Sequence, residues 1–356
     1  MVEPIYLDYN GTTPLDPEVI AAMRPFLERE FGNPSSSHWY GIKPKQAVEG
    51  ARRQVAGLLN CRPDELFFTS GGTESNNHAI KGIARSMKSQ GRHIVTSAFE
   101  HPAVLEVCRY LAAEGFETTC VPVDDQGMVD PGEVERALRP DTILVTVMHA
   151  NNEVGTVQPI AEIAAIARRH GIPVHTDAAQ SLGKIPVDVQ ALGADLLSVA
   201  GHKLYAPKGI GALYVRRGLQ PEKFCHGAGQ ERGWRAGTEN VPFIVALGKA
   251  CEIAGRDLPA GMGHLQAMRD RLHHGIADGL TGVRLNGHPD RRLPNTLSLA
   301  FRNLGPTAFS RRSAWKWPPR PAPPVTPIRC PFPTCSRPCS CPWIGPKAPS
   351  GFRWAA

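Results

Sequence analysis

Apolar positions recur along this chain in two rhythms. The stretches PEVIAAMRPFLERE (17–30) and PKQAVEGARRQVAGLL (44–59) repeat them at helical spacing, which predicts helices with one buried face. Between such stretches lie short apolar runs: ELFFTS (65–70), HIVTSA (93–98), TILVTVM (142–148), IPVHTD (172–177) and DLLSVA (195–200). Runs this short and this continuously apolar predict strands covered on both faces. Their alternation with helices predicts βαβ units around a mainly parallel sheet, an α/β fold whose ligands gather at the carboxyl ends of strands. After residue 255 the pattern changes to a long amphipathic helix, GHLQAMRDRLHHGIADGL (263–280), then VRLNGH and the strand-like LPNTLSLAFRN. This predicts the start of a second, smaller α+β domain.

Composition refines this reading. With 356 residues and 42% apolar content, the chain can bury a large core. Its net charge of +7 would suggest nucleic acid, but residues 306–356 alone hold eight Lys/Arg and no Asp or Glu, so residues 1–305 carry +7 − 8 = −1. Nucleic acid is not an expected partner. The N-terminus MVEPIYLDYN has no basic stretch followed by an apolar run, and no 18-residue apolar segment occurs. Neither export nor a membrane partner is therefore expected, and a cytoplasmic protein is. Five scattered cysteines (Cys61, Cys108, Cys120, Cys225, Cys251) fit a reducing compartment.

Several predicted strand ends carry groups that suit a phosphorylated aldehyde cofactor. FFTSGGTESNN places Gly71, Gly72 and Thr73 between a strand and a helix, where free backbone N–H groups can cradle an anion; a plain tight turn is the alternative. Asp177 in IPVHTDAAQSLG can pair with a protonated pyridine nitrogen, or simply cap the next helix. Lys203, in DLLSVAGHKLYAPKG, can bond an aldehyde if its surroundings lower its pKa, although a lone lysine near a loop is usually solvated. His101 in FEHPAV is a candidate for stacking and proton transfer, and Asn152 in HANNEVG supplies an amide.

Residues 5 to about 305 resemble the class V aminotransferase-like pyridoxal-phosphate enzymes, specifically cysteine desulfurases and selenocysteine lyases. The carriers are YLDYNGTTP, GNPSSSH, FTSGGTESNN, FEHPAV, HANNEVGTVQPI, HTDAAQSLGK, VAGHKLYAPKGIGALYVR and GAGQERGWRAGTENV. The resemblance implies a fold-type I architecture: a large domain (16–255) with a seven-stranded, mainly parallel sheet, and a small α+β domain built from residues 1–15 and 256–305. It implies pyridoxal 5'-phosphate carried by Lys203, with Asp177 at the pyridinium nitrogen and His101 stacked on the ring as acid/base. Gln180 and Asn152 would lie by the ring hydroxyl, and Gly72, Thr73 and His202 at the phosphate. Thr238 of RAGTEN would reach the partner subunit's phosphate in a homodimer, while Asn10 and Arg235 fall in substrate-side or interface motifs. Position 200 is Ala where many desulfurases have Ser, which removes one phosphate hydroxyl. The implied reaction takes sulfur from L-cysteine, or selenium from L-selenocysteine, and leaves L-alanine. A mobile-loop cysteine receives the sulfur and passes it to an acceptor protein, as iron–sulfur cluster assembly requires.

The tail departs from this pattern. Residues 306–356 hold thirteen of the 33 Pro, four of the nine Cys and four of the six Trp, without helical or strand periodicity. This is the composition of a high-GC gene read out of frame. Shifting the frame with permitted codons recovers an amphipathic, Pro-poor segment containing AACHSD, a nucleophile loop whose Cys codon spans Pro324 and Val325, and a final arginine across Ala355 and Ala356. As written, the chain is expected to keep the cofactor site, to lack the nucleophilic Cys and the carboxylate-binding Arg, and to have an unstructured tail. A metal cluster at Cys330, Cys335, Cys339 and Cys341 matches no common zinc spacing, and PPRPAPP offers a PxxP segment as another alternative.

Overall fold

A computed structural model of the chain describes residues 5–302 and 351–355. Its helices are α1 (Pro17–Glu28), α2 (Trp39–Leu59), α3 (Gly72–Ser86), α4 (Pro102–Ala113), α5 (Pro131–Ala137), α6 (Ile160–Arg169), α7 (Val189–Leu192) and α8 (Val241–Gly279). Its strands are β1 (Leu66–Thr69), β2 (His93–Ser97), β3 (Glu117–Val121), β4 (Thr142–Thr146), β5 (Val174–Asp177), β6 (Leu196–Ala200), β7 (Gly211–Val215), β8 (Val283–Leu285), β9 (Thr296–Phe301) and β10 (Gly351–Ala355). Seven of them form one sheet in the order β1-β7-β6-β5-β4-β2-β3. The run from β6 to β3 is parallel throughout; β7 is antiparallel to both its neighbours.

The two-sided burial predicted from the apolar runs follows from side-chain alternation. Leu66 and Phe68 of β1, Leu197 and Val199 of β6, and Ala212 and Tyr214 of β7 pack with Val48, Val55 and Leu59 of α2 and Leu247 of α8. The intervening Phe67, Leu196, Leu213 and Val215 pack on the opposite face with Ile80 and Ile83 of α3 and Val104 and Leu111 of α4. At the far edge, Val145, Val174 and Val121 meet Ile160 and Ile163 of α6. Helix starts are fixed locally: Asp16 accepts from the Glu18 amide at 2.7 Å with Pro17 at the first helical position, and Asn240 caps α8.

Three features differ from the sequence expectations. Strands β3 and β7 were not among those predicted, because ETTCV is short and half polar and GALYV sits inside a glycine-rich motif. The predicted helix 263–280 is the second half of a 39-residue helix that starts at Val241, so the expected boundary at 255/256 falls inside α8. Pro259 lies within it. The expectation of an unstructured tail does not hold for residues 351–355, which form β10, antiparallel to β9 in a three-stranded sheet with β8. The rest of that tail, including the four cysteines and the PxxP segment, lies outside the described residues. Among the described residues no helix is long and apolar enough to cross a membrane.

Candidate active site

Parallel strands point their carboxyl ends the same way, and β1 shares that direction because β7 is antiparallel to both β1 and β6. Five strand ends therefore converge: β1 leads to Gly72 and Thr73, β2 to His101, β4 to Met148 and Asn152, β5 ends on Asp177, and β6 leads to Lys203. Together with Asn10, Gln180 and His202 these residues line one cavity of about 540 Å³. Nine of the twelve residues singled out in the sequence thus meet in one place.

Lys203 sits in a short 3-10 turn after β6, where its Nζ donates to the carbonyls of Asn10 and, at 2.8 Å, Gly11. Asp177 is buried and held from two sides: Oδ1 accepts from the Ala179 amide at 2.9 Å and Oδ2 from Asn76 Nδ2 at 2.6 Å. The alternative of capping the next helix does not hold, because residues 178–188 form turns and α7 is capped by Asp188; the Ala179 bond closes a turn, and Oδ2 is oriented by a second partner. Asn76, on the second turn of α3, was missed in the sequence although it lies within the same FFTSGGTESNN stretch as the glycine turn.

His101 caps α4, its Nδ1 accepting from the Ala103 amide at 3.1 Å. That bond puts the proton of the neutral ring on Nε2. His202 Nδ1 lies 3.2 Å from the Thr12 hydroxyl, while burial and then Lys203, Lys208 and Lys184 push its pKa down to about 4, so it acts as a neutral ring. Gly71 opens α3 with φ +147°, and a Cβ on Gly72 would come 3.3 Å from the Ala200 Cβ. The small residues at 72 and 200 keep the helix start open, with its first N–H groups free of helical partners. Asn152 Nδ2 donates to Glu153 at 3.0 Å, and its carbonyl accepts from Asn10 Nδ2 at 3.3 Å.

Two buried titratable groups near the cavity were not read from the sequence. Glu100 accepts from Ser97 Oγ at 2.6 Å and from the Met148 amide at 2.9 Å, and burial pushes its carboxyl up to about 8 against those hydrogen bonds. Lys184, four residues beyond Gln180, donates to Gln180 Oε1 at 2.9 Å, and burial pushes it down to about 7. His175 bridges Thr146 and Ser198 across the sheet at 2.8 and 2.9 Å.

The buried imidazoles make a pH prediction. Burial pushes His78, His93 and His149 down to about 4 and His175 to about 3. Between the unfolded value of about 6.5 and these folded values the unfolded chain binds more protons, so stability complete above about 6.5 is lost as pH falls toward 4. For the almost fully buried His149 and His175 the slope approaches about 1.4 kcal/mol per pH unit each. The urea midpoint is expected to drop clearly between about pH 7 and about pH 5. An unchanged midpoint would show that these rings titrate normally in the fold.

Arg235 and Thr238 stand apart from the cavity. Arg235 is paired with Glu74 of α3 at 2.8 and 3.3 Å, and Thr238 lies on an exposed loop. None of the five described cysteines lines the cavity.

The donor set fits pyridoxal phosphate. A helix start with small residues, a hydroxyl and a neutral histidine suits a phosphate, a doubly held carboxylate suits a pyridinium nitrogen, and a lysine beside them suits an aldehyde.

The Aminotransferase class-V family profile matches residues 5–311. Cysteine desulfurase IscS of Dictyoglomus turgidum is 49% identical over 301 residues, spanning 85% of this chain and 76% of that protein. Human cysteine desulfurase is 47% identical over 304 residues, spanning 85% and 66%. A solved NifS-like protein superposes with a TM-score of 0.84 at 40% identity over 87% of this chain and 85% of that one. The structure described as SspA in complex with cysteine gives 0.77 at 39% identity over 84% of each. With the family profile spanning most of the chain and relatives near half identity, this chain belongs to the class-V aminotransferase family of pyridoxal-phosphate-dependent enzymes, on its cysteine desulfurase branch.

Proposed function

We propose that this chain is a pyridoxal-phosphate enzyme acting on L-cysteine or L-selenocysteine, with sulfur transfer impaired by its C-terminal sequence. The observation that carries the reading is the convergence of Lys203, Asp177, His101 and the Gly72–Thr73 helix start at the carboxyl ends of strands of one sheet. Bound there, pyridoxal phosphate supplies an electron sink for the bonds of the amino acid. Lys203 attaches the cofactor and moves the proton at Cα of the substrate. Asp177, oriented by Asn76, keeps the ring nitrogen protonated, and His101 covers the ring face with Nε2 available for proton exchange. Gly72, Thr73 and His202 hold the phosphate, and Gln180 and Asn152 the ring hydroxyl.

A desulfurase also needs a thiolate to take the sulfur. Burial pushes Cys61 and Cys108 up to about 12, and residues 306–356 as written contain neither the AACHSD loop nor its final arginine. Selenium leaves carbon more readily than sulfur, so the lyase reaction depends less on that thiolate. The exposure of Thr238, together with Phe31 and Trp39, 79% and 82% exposed, supports a homodimer in which Thr238 serves the partner's phosphate. The product sulfur or selenium would pass to an acceptor protein, with sulfur mobilisation as the cellular role.

The test is alanine release by the full chain loaded with pyridoxal phosphate. L-selenocysteine is expected to yield more alanine than L-cysteine. Equal and ample release from both would overturn the impairment, and no alanine from either would leave only a cofactor-binding remnant.

A further inference from the structure

His101 and Asn152 reach the cavity from the loops that follow β2 and β4. The ladder between those two strands stops at Thr96 and Thr146, so beyond these residues it does not set the distance between the loops. Each of the two cavity residues is preceded by a buried polar neighbour: Glu100, 7% exposed, before His101, and Asn151, 2% exposed, before Asn152. These neighbours join the loops in both directions. Glu100 of the β2 loop accepts from the Met148 amide of the β4 loop, at 2.9 Å through Oε1 and 3.1 Å through Oε2. Asn151 of the β4 loop donates from Nδ2 to the Phe99 carbonyl of the β2 loop at 3.1 Å.

Each half of this cross-link is itself held. Ser97 Oγ accepts from the Phe99 amide at 3.2 Å and donates to Glu100 Oε1 at 2.6 Å, which ties the carboxyl to its own strand end. Asn151 Oδ1 accepts from the Glu153 and Val154 amides at 2.7 and 3.0 Å, which folds the turn that presents Asn152. Removing either side chain leaves buried donors or acceptors unpaired in the opposite loop. Met148, His101 and Asn152 line the cavity, whereas Glu100 and Asn151 do not, so any effect of the latter pair on the site passes through the backbone.

We propose that Glu100 and Asn151 are positioning residues, a reciprocal clamp between the β2 and β4 loops that fixes the spacing of His101 and Asn152 across the cavity. This rests on the reading of the cavity as a pyridoxal-phosphate site, in which His101 covers the ring face and Asn152 meets the ring hydroxyl. The pattern of bonds, rather than the charge, does the holding. One oxygen, Oε1, takes both the Ser97 and the Met148 bond, and a glutamine offers the same oxygen. Displacing a positioned group by about 1 Å costs up to about 10²-fold in rate.

The test reads the visible circular dichroism per bound cofactor in the full chain loaded with pyridoxal phosphate, which reports how the ring sits among its neighbours. The urea midpoint of the cofactor-free chain is measured beside it. Glu100→Ala is expected to lose most of the visible signal and to slow alanine release by about 10–10²-fold. Glu100→Gln keeps the signal of the unsubstituted chain. Adding Asn151→Ala to Glu100→Ala loses no further signal, because both act on one clamp. A lowered urea midpoint with an unchanged visible signal makes Glu100 a merely structural residue and overturns the proposal, as does a glutamine variant that behaves like the alanine one. If Glu100→Ala fails to fold by far-ultraviolet circular dichroism, Asn151→Ala takes its place, and an unchanged visible signal there overturns the proposal. Borohydride reduction of the unsubstituted chain separates the two ideas. A pyridoxyl label on Lys203 with variants that keep their signal sinks only the clamp, and a label elsewhere sinks both the clamp and the reading of the cavity.

Discussion

Lys203→Ala is expected to abolish borohydride-stable attachment of pyridoxal phosphate and to lower alanine release by at least about 10²–10⁴-fold, the range for losing a positioned proton-transfer group alone. The other contacts remain: the helix start at Gly72, His202, and Asp177 held by Asn76 and Ala179. Cofactor is therefore still expected to bind, without a covalent bond and with a faster off-rate. The substitution also frees the carbonyls of Asn10 and Gly11, which now accept from Lys203, so the N-terminal segment loses one tie to β6. Peptide mapping after reduction checks the result. A pyridoxyl label that persists at another lysine, or release that is unchanged, would remove Lys203 from its assigned role.

Glu231→Ala is expected to cost about 3–5 kcal/mol of stability, because it strands a buried charge. Glu231 and Arg52 form a bidentate pair at 2.7 and 2.9 Å with both side chains 3% exposed. Glu231 also accepts from the Phe68 amide of β1 at 2.9 Å, while Arg52 donates to the Leu66 carbonyl at 3.0 Å and lies 4.8 Å from the Phe68 ring centre. Among the described residues, the guanidinium without Glu231 keeps only Glu49, whose side chain is 46% exposed, as an ionic partner. Glu231 and Arg232 both adopt left-handed backbone, with φ of 47° and 57°, so this clamp also holds a strained loop in place. That loop leads directly to Arg235 and Thr238. Urea unfolding of the cofactor-free chain measures the effect, and a loss below about 1 kcal/mol would show the pair to be nearly neutral. Replacing both partners by apolar residues should recover much of the loss, since the penalty lies in the unpaired charge.

The cofactor lysine, the ring carboxylate, the histidine and the glycine turn were legible because each sits at the end of a short apolar run, and such runs are a local signal. Their meeting in one cavity follows once the runs are arranged in a parallel sheet. Asn76 was not legible: it sits in a recognised motif, but its partner, Asp177, lies 101 residues away. The Arg52–Glu231 clamp joins residues 179 apart in sequence, and no periodicity announces such a pair.

The amino-acid sequence by itself determined the α/β alternation, the strand ends that carry chemistry, the family resemblance and the abrupt compositional change after residue 305. Only the tertiary structure decided that β7 runs antiparallel, that α8 crosses the expected domain boundary, that residues 351–355 pair with β9, and that Asn10 meets both the buried Lys184 and the half-buried Lys203. The physical reason is range. Burial periodicity and turn chemistry act over a few residues and leave a mark in the local sequence. The partner of a buried charge or amide is chosen by topology, which brings residues 10, 180, 184, 203 and 295 within hydrogen-bonding distance of one another only after the sheet has formed.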